Sequence, residues 1–103
     1  MPYIVKLIPN SKEDYEALMN ICDMIAKRDP SFIYGYDDES IYIIIAGEDE
    51  KEAFRKGAWF YYKAVWNDRY LRPRYVVREV DWNFILSYIS FNKEMRTRLK
   101  TVS

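Results

Sequence analysis

The sequence predicts an α+β domain in which a four-stranded antiparallel sheet packs against helices. Three observations predict it. Short runs rich in Ile, Val and Tyr alternate with longer stretches whose apolar residues recur every three or four positions. The resulting order of elements is β-α-β-β-α-β-α. A length of 103 residues, with 50% hydrophobic and 31% charged residues, fits one globular domain.

The first strand and the first helix have clear boundaries. The β-rich run from Tyr3 to Ile8 ends at Pro9. We predict a helix over residues 12–28, because Ser11 suits an N-cap and Pro30 cannot continue a helix.

Two further strands follow as a hairpin. Residues 31–36 form a short strand and residues 37–40 a polar turn. The run from Ile41 to Ala46 is apolar and β-branched without interruption, which is typical of a central strand buried on both faces.

The second half begins with a helix and returns to the sheet. Glu48, Asp49 and Glu50 place negative charge where a second helix, running to about Trp66, begins. Residues 74–80 form the fourth strand after a loop that contains Pro73. Asp81 caps a third helix, predicted over residues 82–100.

A hairpin between two crossovers arranges these elements as a ferredoxin-like split βαβ sandwich with strand order 4-1-3-2. The whole chain, 1–103, is expected to be one such domain, with two βαβ-like halves at about 3–36 and 42–80. The C-terminal helix 82–100 is expected to cover the second face of the sheet. Its apolar residues recur at helical spacing: Trp82, Ile85, Leu86 and Ile89.

Composition argues against an enzyme. The chain has no His, which excludes Ser-His and Cys-His catalysis, and the lone Cys22 lies in the apolar stripe of the first helix. Residues 37–39 and 48–50 are acidic, but they flank one strand and are too far apart to share a metal ion. We therefore predict no catalytic residues, no metal and no cofactor.

The same composition suggests a compartment and a source. The N-terminus lacks a secretory signal and no apolar run approaches a membrane span, so a cytoplasmic location is expected. The chain lacks His and Gln and has 11 Ile and 10 Tyr. In this respect it resembles small proteins from viruses of hyperthermophilic archaea, which would imply the host cytoplasm.

Residues 54–78, the basic aromatic segment, are the main functional signal. They hold eight aromatic residues, seven cations and one acid, Asp68. On a helical wheel, Phe54, Ala58, Tyr61 and Val65 form the predicted core stripe. Trp59 and Trp66 then lie on one flank, and Phe60 points away from the core. The alternative interpretation is that the first or third helix buries both indoles.

Two functions fit this segment. The first is a protein–protein interaction or regulatory module that binds or inhibits a larger partner, a host protein if the source is viral. Its predicted contact residues are Arg55, Trp59, Phe60, Lys63, Trp66, Arg69, Arg72 and Arg74. The second is a single-stranded nucleic-acid-binding protein that uses the same cations. Tyr3 and Tyr42 are candidate stacking residues on the central strands, but the chain lacks the basic-Gly-aromatic signature of RNA-binding domains, and a sheet covered by the C-terminal helix has no stacking platform.

Uneven charge along the chain favours self-association. Residues 1–50 hold 4 Lys or Arg against 11 Asp or Glu, a net of −7, whereas residues 51–103 hold 12 against 5, a net of +7. The acidic hairpin, with Asp37, Asp38 and Glu39, and the basic loop 69–74 are predicted to lie at the same end of the sheet, on opposite edges. Two copies could pair these edges, because strand two is short and uncharged. The prediction is a homo-oligomer, most simply a dimer, that salt weakens.

Overall fold

A computed structural model describes residues 2–47, 49–67 and 69–103. Four strands form one antiparallel sheet in the order β2-β3-β1-β4: β1 (Tyr3–Ile8), β2 (Tyr34–Tyr36), β3 (Ile41–Ile45) and β4 (Arg74–Glu79). The helices are α1 (Lys12–Arg28), α2 (Glu50–Asn67), α3 (Trp82–Tyr88) and α4 (Lys93–Lys100). The predicted α+β class with a four-stranded antiparallel sheet is confirmed, and the strand order equals the predicted one. Met1, Glu48 and Asp68 lie outside the described residues, and with them the predicted contribution of Glu48 to the start of α2.

Side-chain caps set the helix starts. The Ser11 hydroxyl accepts the Asp14 amide at 3.1 Å, so α1 begins where the sequence predicts. The Asp49 carboxylate accepts the Glu52 amide at 2.9 Å at the start of α2. Gly47, between β3 and α2, has φ +72°, a left-handed conformation that glycine adopts without steric cost.

The core has two layers, one on each face of the sheet. On the first face α1 and α2 cover Val5, Leu7 and Ile43. On the second face the C-terminal segment buries Ile4 and Ile44. The prediction that this segment covers the second face is therefore confirmed.

The predicted third helix, 82–100, is wrong as one continuous element. α3 ends at Tyr88, and Ser90 pairs with Tyr36 through two backbone hydrogen bonds of 2.8 and 2.9 Å. The Asn92 side chain then accepts the Met95 amide at 2.8 Å and starts α4. The helix is interrupted here because Ser90 pairs with the outer edge of β2, whose backbone groups would otherwise lack hydrogen-bond partners. Leu86, predicted to cover the sheet, is 61% exposed.

The last helix is joined to the first by one side chain. The Arg98 guanidinium donates to the carbonyls of Ala26, Asp29 and Phe32 at 2.8 to 2.9 Å. Two of these carbonyls, those of Ala26 and Asp29, belong to the end of α1, where carbonyls lack helical partners. These hydrogen bonds hold α4 against the end of α1 and the segment that leads into β2.

Candidate functional site

The inward face of α2 consists mainly of small residues. Its buried residues are Ala53, Gly57, Phe60 and Ala64. A Cβ added at Gly57 would stand 3.4 Å from Val5 and Val77, so the small side chains let the helix lie close to the sheet. The helical wheel predicted that the stripe with Phe54 and Tyr61 faces the core. The close approach of α2 to the sheet instead favours the stripe with the smallest side chains.

Phe60 is the main correction. Its side chain is 1% exposed, and its ring lies nearly parallel to that of Phe32 with centroids 6.1 Å apart. It belongs to the core and not to a contact surface. Conversely, Phe54 from the predicted core stripe is 48% exposed, and Tyr61 lies beside β4, its ring 5.7 Å from that of Tyr75.

Both indoles of α2 reach solvent, as the interaction hypothesis requires. Trp59 is 49% exposed and Trp66 is 91% exposed. They lie along a depression of about 310 Å³ between α1 and α2, which we name the α1–α2 groove. It is lined by Ile21, Met24, Ile25, Arg28, Asp29, Trp59, Lys63, Trp66 and Asn67.

Met24 lines the groove but was not among the contact residues predicted from the sequence. It is 46% exposed and lies opposite the two indoles. The signal was its spacing: Met24 falls three residues after Ile21 and four before Arg28, which places all three on the flank of α1 that turns toward α2.

Trp59 also separates the groove from a second cavity. This cavity, of about 250 Å³, lies between α2, β3 and the segment that precedes β2, with Phe32 and Ile43 among its walls. The Trp59 indole therefore borders two depressions.

The groove carries cations whose charge is available to a ligand. The Lys63 ammonium lies 6.0 Å from the Trp59 ring centroid, and Arg28 is exposed on the facing helix. The acid in the lining, Asp29, is engaged: its carboxylate accepts the Ser31 hydroxyl at 2.7 Å and the Ser31 amide at 2.9 Å. These hydrogen bonds lower the pKa of Asp29 and keep it ionised.

The predicted contact residues do not form one surface. Arg55, Trp59, Lys63 and Trp66 lie on the outer side of α2, where Arg55 also pairs with Glu52 at 2.6 Å. Arg69 follows the helix, its guanidinium 5.0 Å from the Tyr70 ring centroid.

Arg72 and Arg74 lie elsewhere. Arg72 precedes β4, and its carbonyl accepts the Asn10 side chain at 2.9 Å. In β4, Tyr75 and Val77 pack with the core on the α2 face. Successive strand residues alternate between faces, so Arg74 points to the opposite side of the sheet from α2. The sheet separates it from the indoles.

The acidic hairpin has a structural role that the self-association hypothesis did not foresee. The Asp37 carboxylate accepts the Ser40 amide at 2.7 Å, the Glu39 amide at 2.9 Å and the Tyr42 hydroxyl at 2.5 Å. Asp38 and Glu39 are exposed. The outer edge of β2, through which two copies were expected to pair, is occupied by Ser90. Pairing of two copies through this edge would have to displace Ser90, and self-association through Asp37, Asp38 and Glu39 stays a prediction.

Tyr3 and Tyr42 do not form a stacking platform for nucleic acid, as expected for a sheet whose second face is covered. Tyr3 packs against the core on the α2 face, whereas Tyr42 belongs to the opposite face and is 4% exposed. The two rings therefore lie on different sides of the sheet, and Tyr42 is not accessible to a base.

No family model, curated protein or solved structure matches the chain in the comparisons made. Within the described ranges, no three His, Cys, Asp or Glu residues stand close enough together to hold a metal ion. Nor does any described helix have the length and apolar character needed to cross a bilayer. Cys22 is buried in the core, and this burial raises the pKa of its thiol.

Proposed function

We propose that this protein is a protein-binding module whose α1–α2 groove receives an amphipathic helix of a larger partner. The observation that carries the proposal is the exposure of Trp66, 91%, next to the half-exposed Trp59 and Met24. Trp is among the residue types that dominate binding hot spots, and Met adapts to irregular apolar partners. A helix laid between two helices is a common mode of recognition.

The charge of the groove indicates which side chains should flank the apolar stripe of the partner helix. Arg28 and Lys63 line the groove, and their two positive charges outweigh the one negative charge of Asp29. A partner with an apolar stripe and acidic side chains beside it therefore complements the site. A regulatory or inhibitory role follows most simply from occupying such a helix. The viral, heat-adapted source and the cytoplasmic location stay predictions.

The nucleic-acid alternative is supported less well. It keeps the cations of the basic aromatic segment, but Tyr42, one of its two candidate stacking residues on the sheet, is buried. Trp59 and Trp66 lie beside a groove that contains apolar Ile21, Met24 and Ile25, which matches an apolar side-chain stripe better than a phosphate backbone.

Selection from a displayed library of amphipathic helices tests the proposal. Selected sequences should share an apolar stripe with acidic flanks. Trp66→Ala and Trp59→Ala should each weaken binding by about thirtyfold, the loss typical of a hot-spot residue. Phe54→Ala is the matched control, since it removes a ring of similar exposure from the opposite flank of α2. Selected helices that bind a Trp59→Ala/Trp66→Ala double variant unchanged, or a selection without saturable ligands, would refute the proposal.

A further inference from the structure

The sheet has one closed edge and one open edge. On the β2 side, Ser90 pairs with Tyr36, and the Tyr34 amide donates to the Met95 sulfur at 3.5 Å. On the other side β4 ends the sheet, and within the described ranges no strand or loop pairs with its outer edge. The backbone groups on that edge are available for pairing with another chain.

The phase of the β1–β4 ladder shows which groups point outward. The Val80 amide donates to the Pro2 carbonyl at 3.1 Å, so Val80 is a hydrogen-bonded position of the ladder. Antiparallel ladders alternate with a period of two, so Arg78, Val76 and Arg74 also bond to β1. The amides and carbonyls of Tyr75 and Val77 therefore point to the open edge.

One face of this edge is basic. Arg74, Val76 and Arg78 share the face opposite α2, and Lys6 stands across from Val76 on β1. Arg74 and Arg78 form no ion pair with a described acid. The acid of β4, Glu79, belongs to the other face, where it lies opposite Tyr3 of β1. Lys6 lies 5.7 Å from the Tyr42 ring centroid, and its charge also helps to lower the pKa of Asp37.

We propose that β4 accepts an extended acidic segment of another protein as a fifth strand. Backbone bonds would form with Tyr75 and Val77. Two carboxylates of the segment, four positions apart, would face Arg74 and Arg78, and an apolar side chain between them would cover Val76, which is 42% exposed. This surface is separate from the α1–α2 groove and does not depend on it.

The same charges disfavour a second copy of this chain as the occupant. Two β4 strands paired antiparallel about Val76 would place Arg74 of each copy directly opposite Arg78 of the other. Like charges in opposed positions destabilise a sheet pair. The cations that protect this edge from self-pairing are therefore the ones that select an acidic strand.

The test is an amide-resolved NMR titration of the full chain with a synthetic peptide whose core is Glu-Thr-Val-Thr-Glu. The expected result is saturable binding with slowed hydrogen exchange at Tyr75 and Val77 and affinity that falls as salt rises. The peptide with Lys in place of both Glu should bind about tenfold more weakly. A peptide of unchanged charge, N-methylated at alternate amides, should not bind, because it cannot donate to the edge.

A charge exchange provides the matched variant. Arg74 and Arg78 are exposed, so Arg74→Glu/Arg78→Glu should fold and should prefer the Lys peptide over the Glu peptide. The Trp59→Ala/Trp66→Ala variant should bind the Glu peptide normally, which keeps this result independent of the groove. The inference is overturned if the N-methylated peptide binds equally well, if the shifts fall on α2, or if a single-stranded oligonucleotide competes at lower concentration than the peptide.

Discussion

At the residue scale, Asp37 shows how an acidic side chain in a charged turn acts within its own chain. Burial alone would raise its pKa, but hydrogen bonds from the Tyr42 hydroxyl and from the amides of Glu39 and Ser40 outweigh this and lower it. An acid run in a sequence looks the same whether its carboxylates face solvent or fasten a turn. The hydrogen bonds of the Asp37 carboxylate show that this side chain stabilises the turn.

Asp37→Ala should therefore lower the free energy of unfolding by about 1–2 kcal/mol at neutral pH, since it removes hydrogen bonds to a charged group that is partly solvated. A lowered pKa means that the ionised side chain stabilises the fold above the unfolded pKa of about 3.9, and that this contribution disappears as the pH falls through the folded pKa. The difference between variant and parent should thus shrink in acid.

Urea unfolding at several pH values measures this difference. Asp38→Ala is the control, because the neighbouring carboxylate is exposed and should cost less than 0.5 kcal/mol, as surface substitutions usually do. Equal losses for the two variants would contradict the assignment of Asp37 to the turn.

At the scale of elements, glycine marks where two pieces of backbone meet, but only the distances tell how closely. A Cβ at Gly35 would stand 2.4 Å from Ile89 and 2.7 Å from the Ser90 carbonyl. A Cβ at Gly57 would meet Val5 and Val77 at 3.4 Å. The first contact has no room for a methyl group, whereas the second is an ordinary packing distance.

Gly35→Ala should cost about 1–3 kcal/mol, because overpacking pushes the segment 89–91 away from β2. Gly57→Ala should be neutral or stabilise by up to about 1 kcal/mol, since alanine is the better helix former. Thermal unfolding of the two variants beside the parent makes the comparison. A Gly35→Ala protein as stable as the parent would show that the C-terminal segment does not need its close approach to β2.

The elements that the sequence predicted are those with local signals. Ser11 and Pro30 bound α1, and the unbroken Ile41–Ala46 run predicted the central strand. The break after α3 escaped prediction because Ile85 and Ile89 keep helical spacing across it, while the cause, pairing of Ser90 with Tyr36, is a contact distant in sequence. Asn92 was the local signal that could have revealed a new helix start.

Only part of the candidate site could be predicted, because the sequence shows helical spacing but not the contacts between distant elements. Trp59, Lys63 and Trp66 were grouped correctly by helical spacing alone. Phe60 was misplaced because hydrophobicity ranks a bulky stripe above one of Ala and Gly, although only the small residues let α2 approach the sheet. The separation of Arg74 from the indoles depends on the face that β4 presents, which the loop sequence does not encode.

At the scale of the whole molecule, the C-terminal segment gives the sheet its second covered face. Ile85, Ile89 and Leu99 bury Ile4 and Ile44 there. The same segment supplies the partners of the β2 edge and, through Arg98, joins the end of α1. Coverage of the second face, closure of one edge and attachment of the first helix therefore depend on one stretch of chain.

Deletion of residues 81–103 should consequently remove cooperative unfolding rather than trim the domain. Each fully buried Ile side chain contributes about 1.5–3 kcal/mol. Exposure of several such side chains would therefore remove a large part of the 5–15 kcal/mol by which a typical domain is stable. The shortened chain should bind a hydrophobic dye and show a broad thermal transition. Deletion of residues 102–103 alone, which lie beyond α4, should leave a sharp transition near that of the full chain. A sharp transition in the chain lacking residues 81–103 would mean that α1, α2 and the sheet form a stable unit by themselves, with the second face open to solvent.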